Sequence, residues 1–400
     1  MRRAVIIILV IVSSLSLLAQ ARTEPDSCEL SRIQNDMLKP DYISVSLIVA
    51  SPGKELYSAA GHAALRMECP SKRIDYCYEF DTDVSISEMV DYINGDMKAS
   101  LYRHFTSSYS KRYKEQNRAV RGIKLNLTPE QKVKLWSILD SESDSGNKHP
   151  FDFMTNNCSS VARMSVVAAL RGDVISYKQV DSRVSGSYRE TIPYVFETSV
   201  WAQLFWNIMM GTGFDNEPDF ESLLFPNALL QHWSKATIKS ESGEERKMVL
   251  EEYALVDCES ANVSFSPLHL FIILIILSVI VSIMDFKIGY NVLSRVLDVT
   301  FMIIETIVGL FLSYLLLFSQ QEATSWNWLI IVFSPVPLII WACLQKKKMK
   351  WKAYLLFSVV LTCYILLTPM IPQMQYGYLC LFLIAVDIRT LANLFLEKKL

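Results

Sequence analysis

The sequence predicts an α+β outer domain joined to an all-α membrane domain of five helices. Three observations carry that prediction. First, 51% of the 400 residues are hydrophobic and the mean hydropathy is positive, apolar for a soluble pair of domains, and the apolar residues are concentrated at the N-terminus and after Pro267. Second, between those regions apolar residues alternate as in strands or recur as in helices, with turn residues between them. Third, after Pro267 they form runs near the ~20 residues that a membrane crossing needs.

The chain opens with "MRRAVIIILVIVSSLSLLAQAR". Two arginines, an apolar run from Ala4 to Leu18 and the small residues Ala19 and Ala21 make a secretory signal peptide over residues 1–21, with cleavage expected after Ala21. An uncleaved anchor is the competing reading. Cys28 lacks the small-residue box of a lipoprotein signal.

Residues 22–266 form the outer domain. "YISVSLIVASPG" is a strand in which Val45, Leu47 and Val49 alternate with smaller residues. "GHAALRME" and "DYCYEFD" are two more strands, joined by the turn-rich "CPSKRI". "SISEMVDYINGD" is a short helix, with Ser85 and Glu88 at capping-box spacing. "RAVRGIKLNL" is a strand, and "TPEQKVKLWSILDSES" a helix with Thr128 as N-cap and Pro129 in its first turn. In "VFETSVWAQLFWNIMMG", Trp201, Leu204, Phe205 and Ile208 recur at helical spacing. That helix is either core or interfacial, since tryptophan favours the headgroup level.

The membrane domain, 267–400, carries apolar segments at 267–284, 298–319, 327–345, 353–372 and 376–396. The loop at 285–297 holds Lys287 and Arg295, "QKKKMKWK" holds five lysines, and the tail reads "EKKL", whereas "QQEATSWN" and "PQMQYG" hold no lysine or arginine. The positive-inside rule therefore puts the basic loops and the C-terminus in the cytoplasm. Five spans then leave residues 22–266 outside, as the signal peptide requires. Glu305 within a span is a candidate to line a cavity or to bond a neighbouring helix.

A net charge of −2 argues against a nucleic-acid partner. Cys343, Cys363 and Cys380 fall in predicted spans. Cys28, Cys69, Cys77, Cys158 and Cys258 lie on the oxidising side. Pairing Cys28 with Cys258 and Cys69 with Cys77 would leave Cys158 free.

Cys158 sits in "FDFMTNNCSSVARMSVVAAL", behind two asparagines and at the head of a helical run with Val161, Met164, Val167 and Ala168 in register. Asparagine is a strong N-cap, so the sulfur lies in the first helical turn, where unpaired amides and the helix dipole favour a thiolate, the nucleophilic form. A structural or disulfide role is the competing reading. A nucleophilic cysteine needs a base, and the outer domain offers His62, His104, His149 and His232. His62 follows a glycine at the head of an apolar strand. His149 is the competing base, and His104 and His232 have the surroundings of surface or core residues. No zinc-ligand cluster or phosphate-cradling glycine loop is evident, so no metal or cofactor is expected.

"GHAALRM" followed about a hundred residues later by "NNCSSVARM" resembles a permuted papain-type order, with the histidine strand before the cysteine helix, as in permuted NlpC/P60 and LRAT-like proteins. More closely, "LYSAAGHAALRM", "QNRAVRGIKLNLTPEQKVKL", "FDFMTNNCSSVAR" and "MMGTGFDNEPDFESLLFPNALLQ", followed by membrane spans, resemble the Lnb-type lipoprotein N-acyltransferases over essentially the whole mature chain. The resemblance implies Cys158 as nucleophile, His62 as general base and acid, and a third group orienting the imidazole. Asp75, Glu79 and Asp81 are the candidates, with Glu79 preferred. Asn157 and the Cys158 amide are candidate oxyanion donors, capping being the other reading of Asn157. Arg118 and Arg121 are candidates for phosphate head groups, against a solvated strand face. The two cysteines in "ECPSKRIDYCYEFD" depart from the family pattern. The implied reaction takes an acyl chain from a phospholipid donor and passes it through a thioester to a diacylated lipoprotein at the bacterial inner membrane, with the catalytic domain facing the periplasm. A tethered cysteine amidase or peptidase and a non-catalytic sensor or scaffold are the alternatives.

Overall fold

The computed structural model describes residues 35–39, 41–82, 86–258, 265–344, 350–374 and 378–399. The signal peptide, Cys28 and Ser85 lie outside them. In chain order the outer part comprises β1 (Ser44–Ala50), β2 (His62–Cys69), β3 (Ile74–Asp81), α1 (Ile86–Asn94), β4 (Lys98–Phe105), α2 (Thr106–Glu115), β5 (Val120–Leu125), α3 (Pro129–Ser145), β6 (His149–Pro150), α4 (Cys158–Ala169), β7 (Val174–Ser176), α5 (Ile192–Val195), α6 (Val200–Met209), α7 (Pro226–Lys235), β8 (Thr237–Lys239), β9 (Glu245–Lys247) and β10 (Val249–Val256). The membrane part adds α8 (Pro267–Ile288), α9 (Val292–Phe318), α10 (Val336–Leu344), α11 (Lys350–Leu366) and α12 (Leu379–Lys399).

A seven-stranded sheet, ordered β10-β5-β1-β2-β3-β4-β6 with antiparallel pairings, forms the backbone of the outer part. Strand alternation sorts its side chains to two faces. Val45, Leu47 and Val49, Ala63, Leu65 and Met67, and Tyr78 and Phe80 build the larger core, under α3, α4 and α7. Ile48, Ala64 and Cys77 meet Tyr109 and Tyr113 of α2 on the other face. Thr128 caps α3, as its sequence predicts, and does so in a capping box with Gln131. β4 and α2 were not anticipated, and both matter at the site.

Parity also decides the cysteines. Cys69 and Cys77 differ in face, the first facing as Met67 does and the second buried beneath α2, so the predicted bridge cannot form and both thiols are free. Cys77 instead contacts Thr106 Oγ1 at 3.2 Å. Cys158 and Cys258 are free as well. On α4 the predicted stripe has the right period but the wrong phase. Met164 and Val167 are exposed, while Ala162, Val166 and Ala169 face the core.

Four stretches are long and apolar enough to cross a membrane: Pro267–Ile288, Val292–Phe318, Glu322–Cys343 and Leu379–Glu397. α11 occupies the expected fourth segment with 17 residues. The expected loop at 285–297 shrinks to residues 289–291, because α8 runs on to Ile288 and Asn291 caps α9 by accepting from Leu293 and Ser294 amides. The third stretch is not one continuous helix. 3-10 turns at Glu322–Thr324 and Trp328–Ile331 precede α10, since Pro335 and Pro337 lack the amide hydrogens that helix continuation requires.

The two parts are bolted together. α6 ends in the Met210–Gly211–Thr212–Gly213 turn, whose amides bond the membrane part: Gly211 N to Ala323 O at 2.8 Å and Thr212 N to Trp326 O at 2.7 Å. Only glycine fits there, because a Cβ at Gly211 or Gly213 would lie about 2 Å from the carbonyl oxygens of Ser325 or Glu322. Asn207 and Gln373, both fully buried, exchange bonds across the seam: Asn207 Nδ2 donates to Gln373 O, and Gln373 Nε2 donates to Met210 O at 2.8 Å. Arg189, also fully buried, donates to the carbonyls of Asn207, Met210 and Gly211 and pairs with Asp215. The α6 helix therefore belongs to the core and also forms the seam with the membrane part.

Within the helices, Arg389 of α12 binds Asp298 of α9 at 2.7 Å and Asp285 of α8 at 2.9 Å, and Asn393 also donates to Asp298. Glu305 lines a neighbouring cavity of about 230 Å³ with Arg389 and Asn393 and has no hydrogen bond or ion pair among the described residues. Removing one partner of a buried ion cluster strands the other charges at a cost of ~3–5 kcal/mol. Arg389→Met should therefore lower stability by about that amount in detergent-solubilised unfolding. Adding Asp285→Asn and Asp298→Asn should restore most of the loss, and an Arg389→Met protein as stable as wild type would remove this cluster from the account of the fold.

Candidate active site

His62 opens β2, directly after Gly61. Gly61 has φ +83°, and a Cβ there would meet Ala50 O at 2.8 Å, so glycine alone lets the chain turn sharply into the strand. At the strand's start the imidazole reaches both faces of the sheet. Towards the α2 face, its Nε2 lies 3.1 Å from Glu79 Oε2. Glu79 is almost wholly buried, and the β2–β3 register that sets it opposite Ala64 brings it beside His62. Towards the α4 face, His62 hydrogen-bonds the sulfur of Cys158, which also accepts the Ala63 backbone N–H.

The helix start is built as its residues dictate. Asn157 Oδ1 accepts the amides of Ser159 and Ser160 at 2.9 and 3.0 Å, Ser160 Oγ accepts the Asn157 amide at 2.8 Å, and Asn157 Nδ2 donates to Phe153 O. Such a cap contributes about 1 kcal/mol. It holds Cys158 at the first position of α4 and leaves the Cys158 amide without a partner among the described residues. Asn156 donates to Pro150 O instead, closing the preceding turn.

The electrostatics follow from these contacts. Burial alone would push the Cys158 thiol up. The charge and hydrogen bond of His62 and the Ala63 amide overcome that and bring its pKa below the ordinary thiol value. Burial works against a charged His62, and Tyr113, Cys158 and Glu79 outweigh it, so its pKa is raised well above the ordinary value. Burial likewise opposes a charged Glu79, yet hydrogen bonds from His104 and His62 and the charges of His62 and Arg112 hold it well below the usual carboxylate range. The three groups therefore favour a thiolate, an imidazolium and a carboxylate in a row.

Arg112 and His104 are the members that sequence reasoning missed. Arg112 Nη2 donates to both Glu79 oxygens at 2.6 and 2.7 Å, with its guanidinium over the Tyr109 and Tyr113 rings. His104 Nε2 lies 3.2 Å from Glu79 Oε1. Asp81 comes close enough to His62 and Glu79 for the three to be considered as metal ligands. Glu79, however, already accepts from Arg112 and both histidines, a donor set that suits a held cation better than a metal.

The pair opens into an apolar cavity of about 220 Å³. Its walls include Phe80 of β3, Tyr92 of α1, Phe153 beside the cysteine helix, Trp206 and Met209 of α6, and Phe311 of α9 in the membrane part.

Two family models match this chain. Residues 29–183 match the Lnb N-terminal periplasmic domain, and residues 259–400 match the Lnb transmembrane domain. The chain belongs to the Lnb family. No curated protein and no solved structure shows significant similarity to it. Membership makes it a multi-pass membrane protein, and it sets the sheet domain on the periplasmic side of the Lnb architecture.

Within this Lnb protein the other candidates separate clearly. Asp75 is taken by Arg66, at 2.8 and 2.9 Å. His149, the competing base, bonds Glu142 at 2.6 Å. His232 is buried between Ala228 O and the Asp181 amide. Arg118 is buried, donating to Ser51 O and stacked on Tyr113, and Arg121 is exposed and paired with Asp257. Neither arginine is among the residues lining the cavity. Aromatic neighbours hid His104 in the sequence. The signal for Arg112 was its place on a helix following a strand, which is visible only once β4 and α2 are recognised.

A lowered Cys158 pKa means that the thiolate persists as pH falls below the ordinary thiol value of ~8.5. Alkylation by a water-soluble maleimide should accordingly reach half its maximal rate below that pH. His62→Ala should move the midpoint up by about one unit or more, and Glu79→Gln should move it in the same direction by less. An unmoved midpoint in His62→Ala would show that the two groups do not interact.

Proposed function

We propose that this chain is a lipoprotein N-acyltransferase of the bacterial inner membrane that works through a Cys158 thioester. The observation that carries the reading is the juxtaposition of a Cys158–His62 pair with an apolar cavity walled in part by a membrane helix. Family membership supports the class of reaction, and the order of histidine strand before cysteine helix supports a permuted papain-like domain. The span count is five, with α11 as the fourth, which keeps residues 22–266 outside and the C-terminus in the cytoplasm.

The chemistry proceeds in two halves. The Cys158 thiolate attacks an ester carbonyl of a phospholipid, and the Cys158 amide donates to the developing oxyanion. As the tetrahedral intermediate collapses, the C–O bond breaks and His62 gives its proton to the departing lysophospholipid oxygen. The acyl group is then held as a thioester, with His62 neutral. The α-amine of a diacylglyceryl-cysteine lipoprotein attacks the thioester, His62 takes the amine proton, and the C–S bond breaks to yield the amide and the original ion pair. Glu79, held ionised by Arg112 and His104, orients the imidazole and stabilises its charged form. No step requires a metal or a soluble cofactor. The apolar cavity counts against a peptidase or amidase, which would need a wet groove for a polar chain.

The decisive test expresses wild type, Cys158→Ser and His62→Ala in cells lacking their own lipoprotein N-acylation and reads the N-terminus of one reporter lipoprotein by mass spectrometry. Wild type should add a third acyl chain and both variants should lose at least 100-fold in transfer, the scale on which general acid–base catalysis contributes. A wild type that is folded in the membrane and adds no chain would overturn the proposal.

A further inference from the structure

We infer that the site reads only about the first nine carbons of the acyl chain, and that Phe311 of the membrane helix sets that limit. This rests on the thioester reading and goes beyond it to donor selectivity. An enclosed apolar cavity of ~150 Å³ takes up one benzene, six carbons. By that scale a cavity of about 220 Å³ seats roughly nine carbons, well short of a membrane lipid's whole chain.

The walls differ in how far they can give. Trp206 is stacked on Phe153 at 4.3 Å and on Phe196 at 5.6 Å, and Phe153 packs on Phe225 at 5.2 Å. These rings are buried in the main core, and a close-packed core does not yield a methylene's width without cost. Phe311 is different. Like Phe205, Tyr92 and Phe151 it is only partly buried, but it comes from α9 of the membrane part, which ends at Phe318. At 1.5 Å per residue it lies about 10 Å below the helix's end. The cavity is thus lined at once by the Cys158 helix and by a residue within a membrane helix. Carbons beyond the ninth pass Phe311 into lipid, where one more methylene moves from hydrocarbon to hydrocarbon and gains nothing.

Selectivity should therefore be strict near the carbonyl and absent at the chain's end. The test uses the full-length protein in detergent micelles with p-nitrophenyl esters of four to sixteen carbons. Acylation of Cys158 is followed by p-nitrophenolate release and intact mass, with all rates compared at equal micelle concentration. For wild type the acylation rate should climb with each carbon, by up to about fourfold per methylene, the equivalent of ~0.8 kcal/mol, and level off near nine carbons. Phe311→Ala should move the break at least three carbons longer, Phe311→Leu should fall between, and Phe311→Trp should move it shorter. Unchanged thermal unfolding of the variants keeps the comparison on the cavity. A wild-type profile that rises smoothly to sixteen carbons, or a break that stays in place in all three variants, overturns the inference while leaving the thioester intact. Failure of wild type to acylate Cys158 with any ester overturns both.

Discussion

The structure depends on the seam where the α6 helix and its glycine turn meet the outer turns of the membrane part. Asn207 and Gln373 are buried there with their polar groups satisfied: Asn207 Oδ1 by Arg189, Asn207 Nδ2 by Gln373 O, Gln373 Nε2 by Met210 O and Gln373 Oε1 by the Trp328 amide. An unpaired buried group costs about 1–3 kcal/mol, so this set holds as a unit or not at all. Its consequence is positional. The helix whose end is bolted down also supplies Trp206 and Met209 to the cavity, and Phe311 belongs to the part it is bolted to. The sheet domain is not a catalyst on a tether. Its cavity is complete only with both parts in place.

On that frame, charge is handed along a line from the surface to the sulfur. Arg112 and His104 face Glu79 from α2 and β4, Glu79 faces His62 across the sheet, and His62 faces Cys158 at its end. Each group offsets the burial penalty of the next. Arg112 and His104 are the links that water can reach, both partly exposed, and Arg112 rests on Tyr109 and Tyr113. The arrangement keeps Glu79 from taking the imidazole's proton, because a carboxylate already bound by a guanidinium is a poor base.

Local signals were legible in the sequence and relational ones were not. The Asn157 cap, the Gly61 turn and the Thr128 box are written within a few residues of where they act, and they place Cys158 and His62 at the ends of their elements. The choice among Asp75, Glu79 and Asp81 could not be read, because the three share one strand parity and only the β2–β3 register separates them. The same parity, applied across the hairpin, excludes the Cys69–Cys77 bridge. In the membrane part, mean hydropathy finds the third stretch but is blind to Pro335 and Pro337, which break it. His104 and Arg112 owe their roles to β4 pairing with β3, a contact that no short window contains.

The Arg389 cluster bears on how such a protein comes to exist. Asp285 and Asp298 enter the bilayer on the first two helices, and the arginine that neutralises them is made 104 and 91 residues later. Until α12 arrives, Asp285 and Asp298 lack the guanidinium that binds both of them in the finished bundle. Assembly of the helices is therefore closed by the last of them to be synthesised.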